Sequence, residues 1–227
     1  MIRMIGRLSL TGTACLLACA SIPLYISQGE QAIAQNNCNG PGIALSNRKA
    51  YIYLQGSICP GDGNKFINYM KFKGSRFRWI RLNNTGGRGV DAIQIGHYIR
   101  NNGMSTWTDG REDVCASACN RIFAGGNNRI YSHATWIPTG KDPSNFYGLG
   151  YHYPRTDGVR DLSNPYYRSV IAPYLMTMLP PRAARWIIQT DEGDLTGDLV
   201  WLNGAEALQL GIATSLKIPA SILNMGN

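Results

Sequence analysis

Arg76-Phe77-Arg78-Trp79-Ile80-Arg81-Leu82 runs into Asn83-Asn84-Thr85-Gly86-Gly87 and then into Gly89-Val90-Asp91-Ala92-Ile93-Gln94-Ile95-Gly96-His97-Tyr98-Ile99-Arg100-Asn101, and this stretch decides the fold class. The first run is rich in aromatic and branched residues, as a strand requires, and the Asn/Thr/Gly cluster ends it. In the third run Val90, Ala92, Ile93, Ile95, Gly96 and Ile99 fall on one stripe of a helix that Asn102-Gly103 stops. A strand that passes through a glycine turn into an amphipathic helix is the repeating unit of an α/β domain with parallel crossovers.

The same alternation extends in both directions. Upstream, Ala50 to Gly56 alternates like a strand, Pro60-Gly61-Asp62-Gly63 turns it, and Phe66, Ile67, Met70 and Phe72 give Asn64 to Lys73 a helical spacing. Downstream, Met104 to Thr108 reads as a short strand, and Cys115 to Ala124 as a turn entering a helix that Gly125-Gly126 ends. Arg129 to Trp136 and Tyr147 to Tyr153 read as strands. Pro165 to Gln189 reads as two helical pieces split at Pro180-Pro181, and Leu199 to Leu202 as a short extended piece. Ala205 to Leu210 is a last helix capped by Gly211, and Ile212 to Leu216 a last strand. There is no internal repeat. With 227 residues, 44% hydrophobic and 16% charged, one core and one domain over residues 50–227 are expected.

Residues 1–34 read as a secretory signal peptide. Arg3 and Arg7 precede an apolar run from Leu8 to Ile26, and Ala32-Ile33-Ala34 is a small-x-small cleavage pattern. An uncleaved anchor helix over the same run and lipidation at Cys19 are the alternatives. Residues 35–49, polar and rich in Gly and Asn, read as a flexible lead-in. Cleavage after Ala34 removes Arg3, Arg7 and Glu30, so the formal charge of +8 falls to +7 (two positive charges and one negative lost). That charge favours anionic envelope surfaces or acidic peptides as partners. Nucleic acid is not expected, because the arginines are scattered and no recognition motif accompanies them. Export also favours oxidised cysteines: Cys38, Cys59, Cys115 and Cys119 allow three pairings, and proximity in sequence favours Cys38 with Cys59 and Cys115 with Cys119.

Several landmarks occur in one order: the Asn-Thr-Gly86-Gly87 turn, Cys115-Ala116-Ser117-Ala118-Cys119 opening a helix, Ala124-Gly125-Gly126 with Arg129, Gly148-Leu149-Gly150-Tyr151-His152, and Ala205-Glu206-Ala207 with Gly211-Ile212. That order resembles the Clp-protease/crotonase superfamily, and within it uncharacterised secreted proteins related to Clp proteases. The resemblance spans about residues 50 to 216 and implies a spiral of β-β-α units. It implies Ser117 as nucleophile, His152 as general base, and the backbone N–H groups of Gly87 and Ala118 as an oxyanion hole. Asp198 falls near the acid of that pattern, with Asp191 and Asp194 as substitutes. It also implies a peptide or protein substrate, no cofactor or metal, and self-association into an oligomer.

Each assignment has a competitor. Ser117 at a helix start could serve as an N-cap, its hydroxyl taking up a free backbone N–H. His97 and His133 compete with His152, which lies farther from Ser117 than the protease pattern usually sets it, so that Pro138 to Phe146 would have to loop outward. A thiol nucleophile or metal ligand at Cys115 or Cys119 fits poorly with export, and Gly86-Gly87 lacks the Gly-Lys-Ser/Thr of a nucleotide loop. Two functional classes follow: an exported serine peptidase, and a non-catalytic envelope binding protein on the same scaffold. A crotonase-like acyl-CoA enzyme ranks below both, since coenzyme A is not expected outside the cytoplasm.

Overall fold

A computed structural model describes residues 38, 40–74, 76–140, 147–156, 159–160, 165–194 and 198–223; the signal peptide read at 1–34 lies outside them. Strand β1 (Ala44–Asn47) pairs antiparallel with β2 (Ile52–Ile58). Helix α1 (Asp62–Tyr69) follows and continues into a π-helical turn, Met70–Gly74. Next come β3 (Trp79–Gly87), α2 (Gly89–Asn101), β4 (Ser105–Asp109), β5 (Val114–Ala116), α3 (Cys119–Ala124), β6 (Arg129–Ser132) and β7 (Gly148–Tyr151). The chain then forms a two-stranded ribbon, β8 (Arg155–Thr156) with β9 (Val159–Arg160), and a π-helical turn Tyr167–Ile171 leading into α4 (Ala172–Met178). Helix α5 (Pro181–Gly193), β10 (Val200–Trp201), α6 (Gly204–Leu210) and α7 (Ala220–Leu223) complete it.

The long strand β3 makes the sheet fork. Its first half, Trp79 to Arg81, pairs parallel with β4, which goes on to pair with β6, while Asn84 in its second half pairs with Cys115 of β5. Along the main path the order is β1-β2-β3-β5-β7-β10, with β2, β3, β5 and β7 parallel and both outer strands antiparallel. Burial alternates along β3, with Ile80 and Leu82 sealed from solvent, and α2 lays Ala92, Ile95 and Ile99 against the same core.

Several elements differ from the sequence reading, each for a local reason. Strand β1 falls inside the stretch read as lead-in. The carboxylate of Asp62 takes the N–H groups of Ile43 (2.9 Å) and Cys59 (2.7 Å), Ile43 is buried, and a disulfide joins Cys38 to Cys59; side-chain and covalent ties order a segment of poor strand composition. Strand β6 stops at Ser132 because His133 takes a φ of 51°. The expected strand at 212–216 reduces to one bridge, Ser215 to Ile130. What fastens this end is Arg129, whose guanidinium donates to the carbonyls of Gly126, Gly211 and Ile212.

Candidate active site

Three parallel neighbours, β3, β5 and β7, end on the same edge of the sheet: Gly86-Gly87 close β3, and Ser117 and His152 are the residues just past the ends of β5 and β7. The carboxyl edge of a parallel sheet is where α/β proteins gather ligand groups, because each chain turns there from strand to helix. Ser117 lies in the turn between β5 and α3 with a φ of 55°, one of two non-glycine residues with positive φ among those described. Such a backbone costs about 1–3 kcal/mol and persists only where its surroundings over-determine it. Here the Ser117 N–H donates to the carbonyl of Gly150 (2.9 Å), and the Asn120 amide donates to the same oxygen (2.6 Å), tying the turn to β7 two residues before His152. Helix α3 has no side-chain cap at its start, so the Ser117 hydroxyl is not spent on the N-cap role that competes with catalysis.

Ser117, Asn120, Arg121, Tyr151, His152, Leu175, Ile187 and Asp191 line one narrow cleft, with a volume of only about 10 Å³. Burial, and then the charge of Arg121, hold the His152 imidazole below the usual histidine range, with Asp194 pulling the other way. Its ring is therefore neutral at pH 7 and can take a proton. No hydrogen bond joins the Ser117 hydroxyl to His152 among the described residues. Asp191 and Asp194 are both buried, and burial pushes the Asp191 carboxyl up to about 7, with Arg121 and the hydroxyl of Tyr167 drawing it back. Asp198 is exposed. It precedes β10, whose Val200 pairs with Tyr151, so the register brings it to the same sheet edge.

The glycine turn closes the other side. Gly86 and Gly87 have φ values of 100° and 126°, and an added Cβ would lie 2.7 Å from Cβ of Ser117 at the first and 2.3 Å from the carbonyl oxygen of Ile58 at the second. Only glycine allows this approach. The Gly86 N–H is already bound by the side chain of Asn84 (2.8 Å), and Gly87 is exposed beside it. Ala118, buried, is the N-cap of α3, at the end where the first N–H groups have no carbonyl of their own helix to meet. The small side chains of Ala116 and Ala118 leave the approach open.

A disulfide joins Cys115 to Cys119, the residues two before and two after Ser117, which leaves neither sulfur as a thiol nucleophile or metal ligand. The other histidines have separate settings. His97 is an exposed ring set edge-on against Tyr174, and His133 is exposed with Nδ1 on Asp109 (2.7 Å), at the end of the β4–β6 branch. Among the described residues no group of three or more His, Cys, Asp or Glu side chains could hold a metal ion. The sequence reading missed Asn120 and Arg121. Both lie in a six-residue helix, too short for its periodicity to show that every position is buried.

With this geometry the solved structures that the chain resembles become informative. One is the ClpP protease catalytic domain from Plasmodium falciparum, with a TM-score of 0.51 and 18% identity over 76% of this chain and 86% of that one. The fold is Clp-protease-like. A lysine-to-alanine mutant of the 1510-N membrane-bound stomatin-specific protease, in complex with a substrate peptide, gives 0.50 and 16% over 78% of each chain. No protein-family model and no curated protein matches the sequence.

Proposed function

We propose that this chain is an exported serine peptidase that acylates Ser117. The observation that carries the reading is the setting of that residue: a left-handed serine, not used as a helix cap, sharing a cleft with a neutral, half-buried histidine at the carboxyl edge of the sheet. His152 takes the hydroxyl proton as Oγ bonds to the substrate carbonyl carbon. The oxygen that gains charge meets the N–H groups of Gly87 and Ala118. His152 then returns the proton to the leaving amine as the C–N bond breaks, and water releases the acyl group by the same steps in reverse. Asp194, buried and felt electrostatically by His152, supports the imidazolium in preference to the exposed Asp198. Peptides and unfolded protein segments are the substrates of this reading.

The test is labelling of the full chain by a fluorophosphonate. Stoichiometric modification lost in Ser117→Ala, and slowed by at least about a hundred-fold in His152→Ala, is the expected result. The lack of a Ser117–His152 hydrogen bond among the described residues favours a second reading, a non-catalytic peptide binder. Folded protein that binds peptides and is never labelled would establish it. Export is tested separately, by fractionating cells and sequencing the amino terminus of the recovered protein, which is expected to begin at Gln35.

A further inference from the structure

We infer that the Cys115–Cys119 disulfide is a positioning device for Ser117, holding the serine in its left-handed conformation and so setting the reactivity of its hydroxyl. The inference rests on the peptidase reading for its kinetic consequence and on geometry for its cause. Cys115 is held in the sheet, paired with Asn84 on one side and Leu149 on the other. Cys119 is the first residue of α3. The bridge therefore ties a fixed strand to a helix start, with Cα atoms 5.2 Å apart and Ser117 at the middle of the closed ring.

Two further observations separate this role from general stabilisation. A disulfide stabilises a fold chiefly by restricting the unfolded chain, and that effect grows with the logarithm of the loop closed. Cys115 and Cys119 are four positions apart, whereas Cys38 and Cys59 are 21 apart, so the bridge around the serine contributes the smaller share to global stability. Beyond the bonds that the Ser117 N–H and the Asn120 amide donate to Gly150, the turn has no side-chain support of its own. No side chain caps α3, and Ala116, Ser117 and Ala118 offer only one side-chain polar group, the hydroxyl that the chemistry needs. The bridge takes the place of a cap without occupying that hydroxyl. Both cysteines are sealed from solvent in the folded chain.

The experiment compares the full chain with Cys115→Ala/Cys119→Ala and, as a control, Cys38→Ala/Cys59→Ala. Three quantities are read: the fluorophosphonate inactivation rate at saturating probe and its half-saturation concentration, the melting temperature, and the Ser117 backbone φ from NMR coupling constants. The expected result for the first variant is a maximal inactivation rate lowered about ten-fold or more, at nearly unchanged half-saturation, with Ser117 relaxed to negative φ. The control should lose more melting temperature and little inactivation rate. Equal rates in the first variant and the full chain overturn the inference. If the full chain itself is not labelled, the peptidase reading fails on its own, and φ still decides: a serine that stays left-handed without the bridge overturns the clamp, and one that relaxes supports it. Should the alanine pair fail to fold, Cys115→Ala/Cys119→Val, which refills the buried volume, is measured in the same way.

Discussion

A methyl group on Gly86 would lie 2.7 Å from Cβ of Ser117, 2.8 Å from the carbonyl oxygen of Ala116 and 3.0 Å from the nitrogen of Ala118. The glycine turn and the serine turn are thus packed backbone to backbone, and the separation of the two proposed oxyanion donors depends on that contact. Gly86→Ala meets rigid backbone rather than a flexible side chain, at a φ of 100° that alanine resists. We expect a loss of about 1–3 kcal/mol in stability. Fluorophosphonate labelling should slow by at least about a hundred-fold, the usual effect of losing one oxyanion donor. Unfolding in urea gives the first and inactivation kinetics the second; a variant that labels at the full chain's rate would show that the contact is not needed.

Arg121 makes the cleft unusual, since a buried guanidinium stands beside the proposed base and its Nε has no hydrogen-bond partner among the described residues. Its charge is the largest electrostatic influence holding His152 down. Arg121→Met keeps most of the volume and removes the charge, so the imidazole should titrate at higher pH in the variant. The acid limb of the pH–rate profile then moves upward, toward the ordinary histidine value of about 6.5. An NMR titration of the His152 ring checks the shift directly. An unmoved midpoint would mean that the Arg121 charge does not act on the ring.

The two carboxylates assigned to the third role separate by substitution. Asp194 is buried and raises the His152 pKa, opposing Arg121, whereas Asp198 is exposed. Asp194→Asn should therefore lower the maximal inactivation rate by about ten-fold or more and shift the His152 titration further down, while Asp198→Asn should leave both within about two-fold. The opposite ranking would return the role to Asp198, whose place at the sheet edge gives it access.

What the sequence disclosed and what it withheld follow from the range of the interactions. Gly86-Gly87, the short residues around Ser117 and the Gly-x-His run before His152 are local signals, and each element boundary near them lies within a few residues of its expected place. The fork in β3 and the burial of Arg121 are not local. They depend on which strands pair with each half of a nine-residue strand and on how α4 and α5 roof the cleft through Leu175 and Ile187. Strand β1 was hidden for a related reason, because Ala-Leu-Ser-Asn has weak strand propensity and is ordered by Asp62 and the Cys38–Cys59 bridge from outside the segment.

Asp191 provides a thermodynamic test of the cleft that is independent of catalysis. Its carboxyl is 3% exposed, one oxygen accepts the Tyr167 hydroxyl at 2.9 Å, and burial raises it from 3.8 to about 7. Between those two values the folded chain holds a proton that the unfolded chain releases. Its contribution to stability is fully present below the unfolded value and is lost as pH rises through the folded one. Asp191→Asn does not ionise and keeps an acceptor for Tyr167, so it escapes that loss. The variant should match the full chain near pH 4 and melt progressively higher than it from pH 5 to 8. His152, whose folded pKa is lowered, contributes with the opposite sign in both proteins and largely cancels in the difference. Melting curves that run parallel across the range would show Asp191 to be ionised and partnered in the folded state, and the cleft to be more polar than its lining implies.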